Sequence, residues 1–158
     1  DEDIKPGDEF NEDGYWETRP IMHMGFRLLT EFDSGSAITS LPEDWRDRED
    51  VLAHAGEFEK FFAQYYAGQT VFGWKDPRTA LFIPFFKEIF ARLGWKPRYI
   101  MPLRNPLDVA ASLKRRDNMP EAVAYGIWIH YVLSALRELQ WYVLLLRHQL
   151  KRQRSPNQ

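Results

Sequence analysis

The sequence predicts an α/β fold in which helices cover both faces of a parallel sheet. Two short apolar runs, 70–74 and 99–103, have the length and composition of buried strands. A helical segment over 77–93, closed by Gly94 and Pro97, joins them, and the unit has the ~30 residues of a strand–helix–strand crossover. Such a crossover joins parallel strands, and a parallel sheet is covered by helices on both sides.

Two helices are predicted before this unit. Residues 1–14 carry seven acidic side chains against one lysine and few apolar ones, which indicates a loop. Over 19–32, apolar side chains recur at helical spacing until a Ser- and Gly-containing cluster ends the pattern. A loop over 33–48 then leads to a second helix over 48–67, which has the aromatic face of a core helix and ends at Gly68.

Two further helices are predicted after the second strand. The first covers 106–116, and the second is long, from about residue 120 to residue 149. Pro102 lies inside the second strand, where it cannot donate to a ladder, so we expect a bulge or an unpaired position there.

Composition excludes several classes of protein. With 158 residues, 44% of them hydrophobic, the chain has the size and apolar content of one domain with its own core. Its net charge of −2 gives no global field for nucleic acid or an anionic membrane, and no apolar run is long enough to span a bilayer. Cysteine is absent, which favours the cytoplasm. The chain begins with Asp1 rather than Met, so we expect an upstream part to be missing.

The two predicted strands end alike. Residues 75–78 (Lys-Asp-Pro-Arg) follow the first, and residues 104–106 (Arg-Asn-Pro) follow the second. Each combines a basic residue with an Asx helix cap and a proline at the first helical position. Ligands of open α/β sheets bind beyond the strand ends, where helix N-termini favour anions. Two such ends favour a phosphate-bearing ligand; the alternative is that the Asx residues only cap helices and the basic side chains are solvated.

The second strand end continues as residues 104–112, Arg-Asn-Pro-Leu-Asp-Val-Ala-Ala-Ser. This segment resembles the 3′-phosphate motif of the sulfotransferase family, which has an arginine at a strand end, a proline at the helix start and a serine eight residues after the arginine. The resemblance implies that Arg104 and Ser112 bind the 3′-phosphate of the sulfate donor, 3′-phosphoadenosine 5′-phosphosulfate (PAPS), or of its product, adenosine 3′,5′-bisphosphate (PAP). It also implies a three-layer, P-loop-like parallel sheet.

Two more segments are similar to stretches that flank the donor site in bacterial members of this family. They are residues 14–17 (Gly-Tyr-Trp-Glu) and residues 75–78, and the similarity runs from about residue 11 to residue 136. The family's Gly/Ser/Thr-rich phosphosulfate-binding loop, and the strand before it, have no counterpart in this sequence.

A single partial domain over residues 1–158 is therefore predicted, either a fragment of a longer protein or a degenerate member of the family. It comprises an acidic loop (1–18), a family-like core (19–136) and a helix end with a basic tail (137–158). Because the first strand and the P-loop are missing, we expect exposed sheet edges and self-association through them.

Sulfuryl transfer needs a general base for the acceptor and cations on the donor oxygens. By resemblance, Glu17 and Asp76 are the candidate bases, and Lys75 is the candidate cation for the sulfonate or the 5′-phosphate. The plainer alternatives are that Glu17 is a first-turn acid near Arg19 and that Asp76 is an N-cap. The four histidines show no paired spacing with carboxylates, so no metal is predicted.

The leading function is PAPS-dependent transfer of a sulfuryl group to a hydroxyl or amine of a small-molecule, glycan or peptide acceptor. The alternative is a non-catalytic fragment or nucleotide-binding module that retains only the 3′-phosphate site. A P-loop kinase relative would need Gly-x-x-x-x-Gly-Lys-Ser/Thr, which is absent. The basic clusters 114–116 and 151–154 fall at predicted helix ends, where cations offset the helix dipole, so nucleic acid is not a predicted partner.

Overall fold

A computed structural model describes residues 3–9, 11–32 and 41–139, and the backbone of residues 143–147. Within these residues the chain forms five α-helices and two short strands. In chain order they are α1 (Arg19–Thr30), α2 (Glu49–Tyr65), α3 (Ile83–Arg92), β1 (Tyr99–Leu103), α4 (Pro106–Asp117), α5 (Glu121–Glu138) and β2 (Val143–Arg147). Two 3₁₀ helices, Trp45–Asp47 and Pro77–Ala80, precede α2 and α3.

The predicted α/β fold with a three-layer, P-loop-like parallel sheet is wrong. The described part of the chain is mostly helical, and β1 has only β2 as a neighbour there. The run over 70–74 forms no strand, although its side chains alternate between inward and outward positions. Phe72 stacks on Tyr66 with 4.0 Å between the ring centroids, and Trp74 packs against Phe62 of α2 at 5.1 Å. Aromatic packing against α2 therefore replaces the expected sheet ladder.

The C-terminal part also differs from the prediction. β1 pairs in parallel with β2, and the register runs through Pro102 without the expected bulge. Proline is tolerated there because no strand within the described ranges pairs with the other side of β1. The long helix predicted to residue 149 ends at Glu138, and β2 follows it. Residues 33–40 of the predicted loop and residues 148–158 of the basic tail lie outside the described residues.

Three predicted helices are confirmed to within two residues at each end, namely those over 19–32, 48–67 and 106–116. The helix predicted over 77–93 divides into a 3₁₀ turn and α3. Pro84 lies in the first turn of α3, where a backbone N–H would have no acceptor within the helix, so proline costs no hydrogen bond there.

The core lies between α1, α2 and α3 and is rich in aromatic rings. Phe58, Phe62, Phe82 and Ile89 are at most 1% exposed. Phe58 meets Phe86 edge-on at 5.3 Å, the geometry that the ring quadrupoles favour. Because the 72–74 segment packs onto this core, the core fixes the position of the turn that follows at 75–78.

The predicted acidic loop folds back on itself as a hairpin before α1. Ile4 forms an antiparallel bridge with Thr18, and the Lys5 N–H donates to the Glu17 carbonyl at 2.8 Å. At Gly7 the two arms approach so closely that a Cβ would lie 2.5 Å from the carbonyl oxygen of Glu12. This N-terminal hairpin carries Glu17 to the 75–78 turn.

Candidate functional site

Three of the predicted site residues meet in one place. Glu17, Lys75 and Asp76 join Arg78 in a network of ion pairs and hydrogen bonds where the N-terminal hairpin meets the 75–78 turn. We call these four residues the charged cluster. Its members lie up to 61 positions apart in the sequence, so the fold, not local spacing, brings them together.

The 75–78 turn is a capped helix start. The Asp76 side chain accepts a hydrogen bond from the Arg78 N–H at 2.9 Å, and Pro77 opens the 3₁₀ helix behind it. The predicted N-cap role of Asp76 is thereby confirmed. Trp74, packed in the aromatic core, holds the chain immediately before the turn.

Glu17 lies inside the charged cluster, with only 7% of its side chain exposed. One carboxylate oxygen, Oε1, accepts a hydrogen bond from Lys75 Nζ at 3.0 Å, and the other, Oε2, accepts from Arg78 Nη2 at 3.4 Å. Lys75 Nζ also donates to the carbonyl oxygen of Tyr15 at 3.1 Å. Both Glu17 oxygens are therefore occupied by cations in this structure.

Arg78 is held by side chains from two directions in addition to Glu17. Its Nε lies 2.9 Å from Asp76 Oδ1, and its guanidinium lies 4.0 Å from the ring centroid of Phe26 on α1. Gly25 lets α1 approach, since a Cβ there would lie 3.2 Å from Asp76 Oδ2. Sequence reasoning gave Arg78 no role of its own, although its place at the end of the Lys-Asp-Pro-Arg segment was the signal that could have found it.

Burial separates the inner members of the charged cluster from the outer one. Burial raises the pKa of Asp76, and the nearby Arg78 opposes that shift. Burial likewise raises the pKa of Tyr131 on α5 to about 12. The charge of Arg78 lowers this pKa and that of Asp76 raises it, both by less than burial does. Lys75, by contrast, has a side chain that is 52% exposed. The charged cluster is thus closed on the inside and faces solvent through its Lys75 ammonium.

The other predicted site residues lie at the turn between β1 and α4. Arg104 follows the last residue of β1, is exposed, and has no hydrogen-bond or ion-pair partner among the described residues. The Asn105 side chain accepts from the Leu107 N–H at 2.9 Å, which confirms it as the N-cap of α4. Ser112 is half-buried two turns into α4. Within the described residues, no hydrogen bond or ion pair joins Arg104 or Ser112 to the charged cluster.

The far end of α4 lies near the N-terminal hairpin. The pKa of Tyr15 is raised, first by its hydrogen bond to Asp8 at 2.8 Å, and the neighbouring Arg116 opposes this shift. Arg116 also pairs with Asp117, whose pKa it lowers. The hairpin therefore contacts both the 75–78 turn and the C-terminal end of α4.

Other features lie away from these residues. A cavity of about 290 Å³ between α2 and α3 is lined by none of the predicted site residues. Among the described residues, no group of three or more His, Asp or Glu side chains is placed to hold a metal ion. None of the described helices has the length and apolar character that crossing a membrane requires.

Comparison with known proteins gives no relative. No family model, no curated protein and no solved structure matches this chain. Its function must therefore be inferred from the chemistry of the charged cluster and of the turn between β1 and α4.

Proposed function

We propose that this chain binds the 3′-phosphate end of PAPS through Arg104 and Ser112 and takes part in transfer of the sulfuryl group to an acceptor hydroxyl or amine. One observation carries the proposal: Arg104 is exposed, without a partner among the described residues, at a strand end that leads into a capped helix. The guanidinium of Arg104 is therefore free to bind an anion next to the first turn of α4.

The energetics at this turn favour an anionic oxygen group. The free N–H groups in the first turn of α4 attract an anion by about 0.3–1 kcal/mol, whereas each charge-assisted hydrogen bond from an arginine contributes about 1.5–3 kcal/mol. The guanidinium of Arg104 therefore supplies most of the expected affinity. Ser112, two turns into the same helix, would add one hydrogen bond from its uncharged hydroxyl.

Transfer itself would break the bond between sulfur and the bridging oxygen of PAPS and form a bond from sulfur to the acceptor. The acceptor proton passes to a base, and PAP leaves with the bridging oxygen as part of its 5′-phosphate. In this proposal Lys75 neutralises charge on the donor oxygens. The acceptor is a small molecule, a glycan or a peptide, and no metal takes part. The absence of cysteine favours the cytoplasm as the compartment of the reaction.

Calorimetric titration with PAP and with 5′-AMP tests the binding step. We expect tighter binding of PAP, and we expect Arg104→Ala to remove most of that preference, on the order of 2–3 kcal/mol if two charged hydrogen bonds are lost. Arg98→Ala is the matched control, because Arg98 is also exposed and lies at the opposite end of β1. Equal affinities of the wild type for PAP and 5′-AMP would rule out a 3′-phosphate site.

A nucleotide-binding module without catalysis is the second candidate. It is favoured by the Glu17 carboxylate, since both of its oxygens already accept hydrogen bonds from cations. This candidate predicts the same preference for PAP but no release of PAP from PAPS in the presence of a hydroxyl or amine acceptor. Chromatographic measurement of PAP release therefore separates the two candidates.

A further inference from the structure

The charged cluster contains two carboxylates and two cations, but they are not equivalent. The side chains of Glu17, Asp76 and Arg78 are 7%, 4% and 12% exposed, while that of Lys75 is 52% exposed. The three inner groups carry a combined charge of −1 next to the Lys75 ammonium. Without Arg78 they would carry −2, and their hold on Lys75 would be stronger.

Arg78 is held in place from several sides. Asp76 accepts from its backbone N–H and pairs with its Nε, while the Phe26 ring lies against its guanidinium. Its Nη2 is then directed at Glu17 Oε2, which leaves only Oε1 to Lys75. This arrangement gives Glu17 a permanent counter-charge that does not depend on Lys75.

We propose that Arg78 is a positioning residue that neutralises Glu17, so that the Lys75 ammonium is able to leave Glu17 for an anionic oxygen group of a ligand. Glu17 then acts as the resting partner of Lys75 and not as the general base. The ligand half of this inference rests on the proposed function, since it takes the anionic group to be the 5′ end of the nucleotide. The electrostatic half concerns this chain alone.

Chemical labelling of lysines tests the electrostatic half without any nucleotide. An amine must lose its proton before acetic anhydride acylates it, so a more negative surrounding slows the reaction. We expect Arg78→Met to lower the acylation rate of Lys75 about three- to tenfold, Glu17→Gln to raise it, and the double variant to return to the wild-type rate or above. Lys60 and Lys96, both exposed, serve as internal references in the same mass-spectrometric digest.

The double variant distinguishes positioning from a merely structural role. If Arg78 only held the fold together, Arg78→Met would open the cluster and raise the Lys75 rate, and adding Glu17→Gln would not reverse its effect. Either result would overturn the inference. Should Arg78→Met fail to fold, Arg78→Lys, which keeps the positive charge, is expected to hold Lys75 near the wild-type rate. Equal Lys75 rates in Glu17→Gln and the wild type would then overturn it.

PAP tests the ligand half. Saturating PAP is expected to slow acylation of Lys75 in the wild type while leaving Lys60 and Lys96 unchanged. If PAP binds in the calorimeter but does not protect Lys75, the ligand half is wrong. If PAP does not bind at all, the proposed function fails, while the labelling rates of the four proteins still decide the role of Arg78.

Discussion

Two turns of this chain share a sequence pattern but differ in what surrounds them. In both the 75–78 turn and the 104–106 turn, a basic residue precedes an Asx cap that accepts the N–H two residues on at 2.9 Å. The first turn is enclosed by α1, α5 and the N-terminal hairpin, so that the side chains of Asp76 and Arg78 are buried and that of Lys75 alone is half exposed, whereas the second leaves Arg104 exposed. The shared pattern specifies a helix start, and burial decides which of its charges stabilise the fold and which remain open to a ligand.

The largest expected effect is the loss of stability when a charge is removed at the 75–78 turn, compared with the removal of a charge at the 104–106 turn. Glu17→Ala is expected to lower the free energy of unfolding by about 3 kcal/mol, because it leaves the buried Arg78 with one carboxylate partner less. This is the lower end for breaking a buried pair, since Lys75 is half exposed and Arg78 keeps Asp76. Arg104→Ala is expected to leave stability nearly unchanged. Urea unfolding measures the free energy of unfolding of both variants. Similar losses in the two would show that the charges of the two turns contribute equally to stability.

The same contrast shows what sequence reasoning could reach. Asp76 and Asn105 were predictable caps, because a cap is a local arrangement of an Asx residue and the N–H two positions on. The sheet was not predictable, because the alternation at Phe72 and Trp74 satisfies packing on α2 as well as it satisfies a strand. Glu17 and Lys75 were each singled out as site residues, but nothing local indicated that Arg78 would reach Glu17 from 61 positions away.

A second prediction examines how tightly the first turn is enclosed. Gly25→Ala is expected to destabilise the protein by about 1–3 kcal/mol, because its Cβ would lie 3.2 Å from Asp76 Oδ2 and 3.6 Å from Arg78 Nε. Gly56→Ala is the matched control in α2, where no atom lies within 4 Å of the added Cβ. The control is expected to stabilise by about 0.5–1 kcal/mol through helix propensity alone. If Gly25→Ala were also stabilising in urea unfolding, α1 would not be packed against the turn as described.

The pH dependence of stability compares the effects of burial and of Arg78 on the pKa of Asp76. Burial raises the pKa of Asp76 in the folded protein above 3.8, the ordinary value that applies in the unfolded chain. Between the unfolded and the folded pKa, the folded state therefore binds more protons than the unfolded state. The contribution of Asp76 to stability therefore falls as pH rises from about 3.8 through the folded pKa. In urea unfolding between pH 4 and 7, Asp76→Asn is expected to gain stability relative to the wild type as pH rises. The opposite slope would show that Arg78 outweighs burial.

The smallest expected effect concerns two residues with a left-handed backbone, one beside the 75–78 turn and the other at the C-terminal end of α4. Among the described residues other than glycine, only Trp16 and Asn118 have positive φ, at 57° and 50°. Trp16 lies in the hairpin next to the carbonyl that accepts from Lys75, and Asn118 ends α4 as its left-handed cap. A left-handed conformation costs a bulky residue about 1–2 kcal/mol, whereas asparagine tolerates it.

Trp16→Gly relieves this strain and loses little packing, because Trp16 is 69% exposed. After subtracting the larger entropy that glycine loses on folding, we expect a gain in the free energy of unfolding of about 0.5–1 kcal/mol. Asn118→Gly is expected to change it by only a few tenths of a kcal/mol, since asparagine already suits that cap. Urea unfolding of both variants makes the comparison. A loss of stability in Trp16→Gly would mean that the indole contributes packing to the hairpin that holds Glu17 against the 75–78 turn.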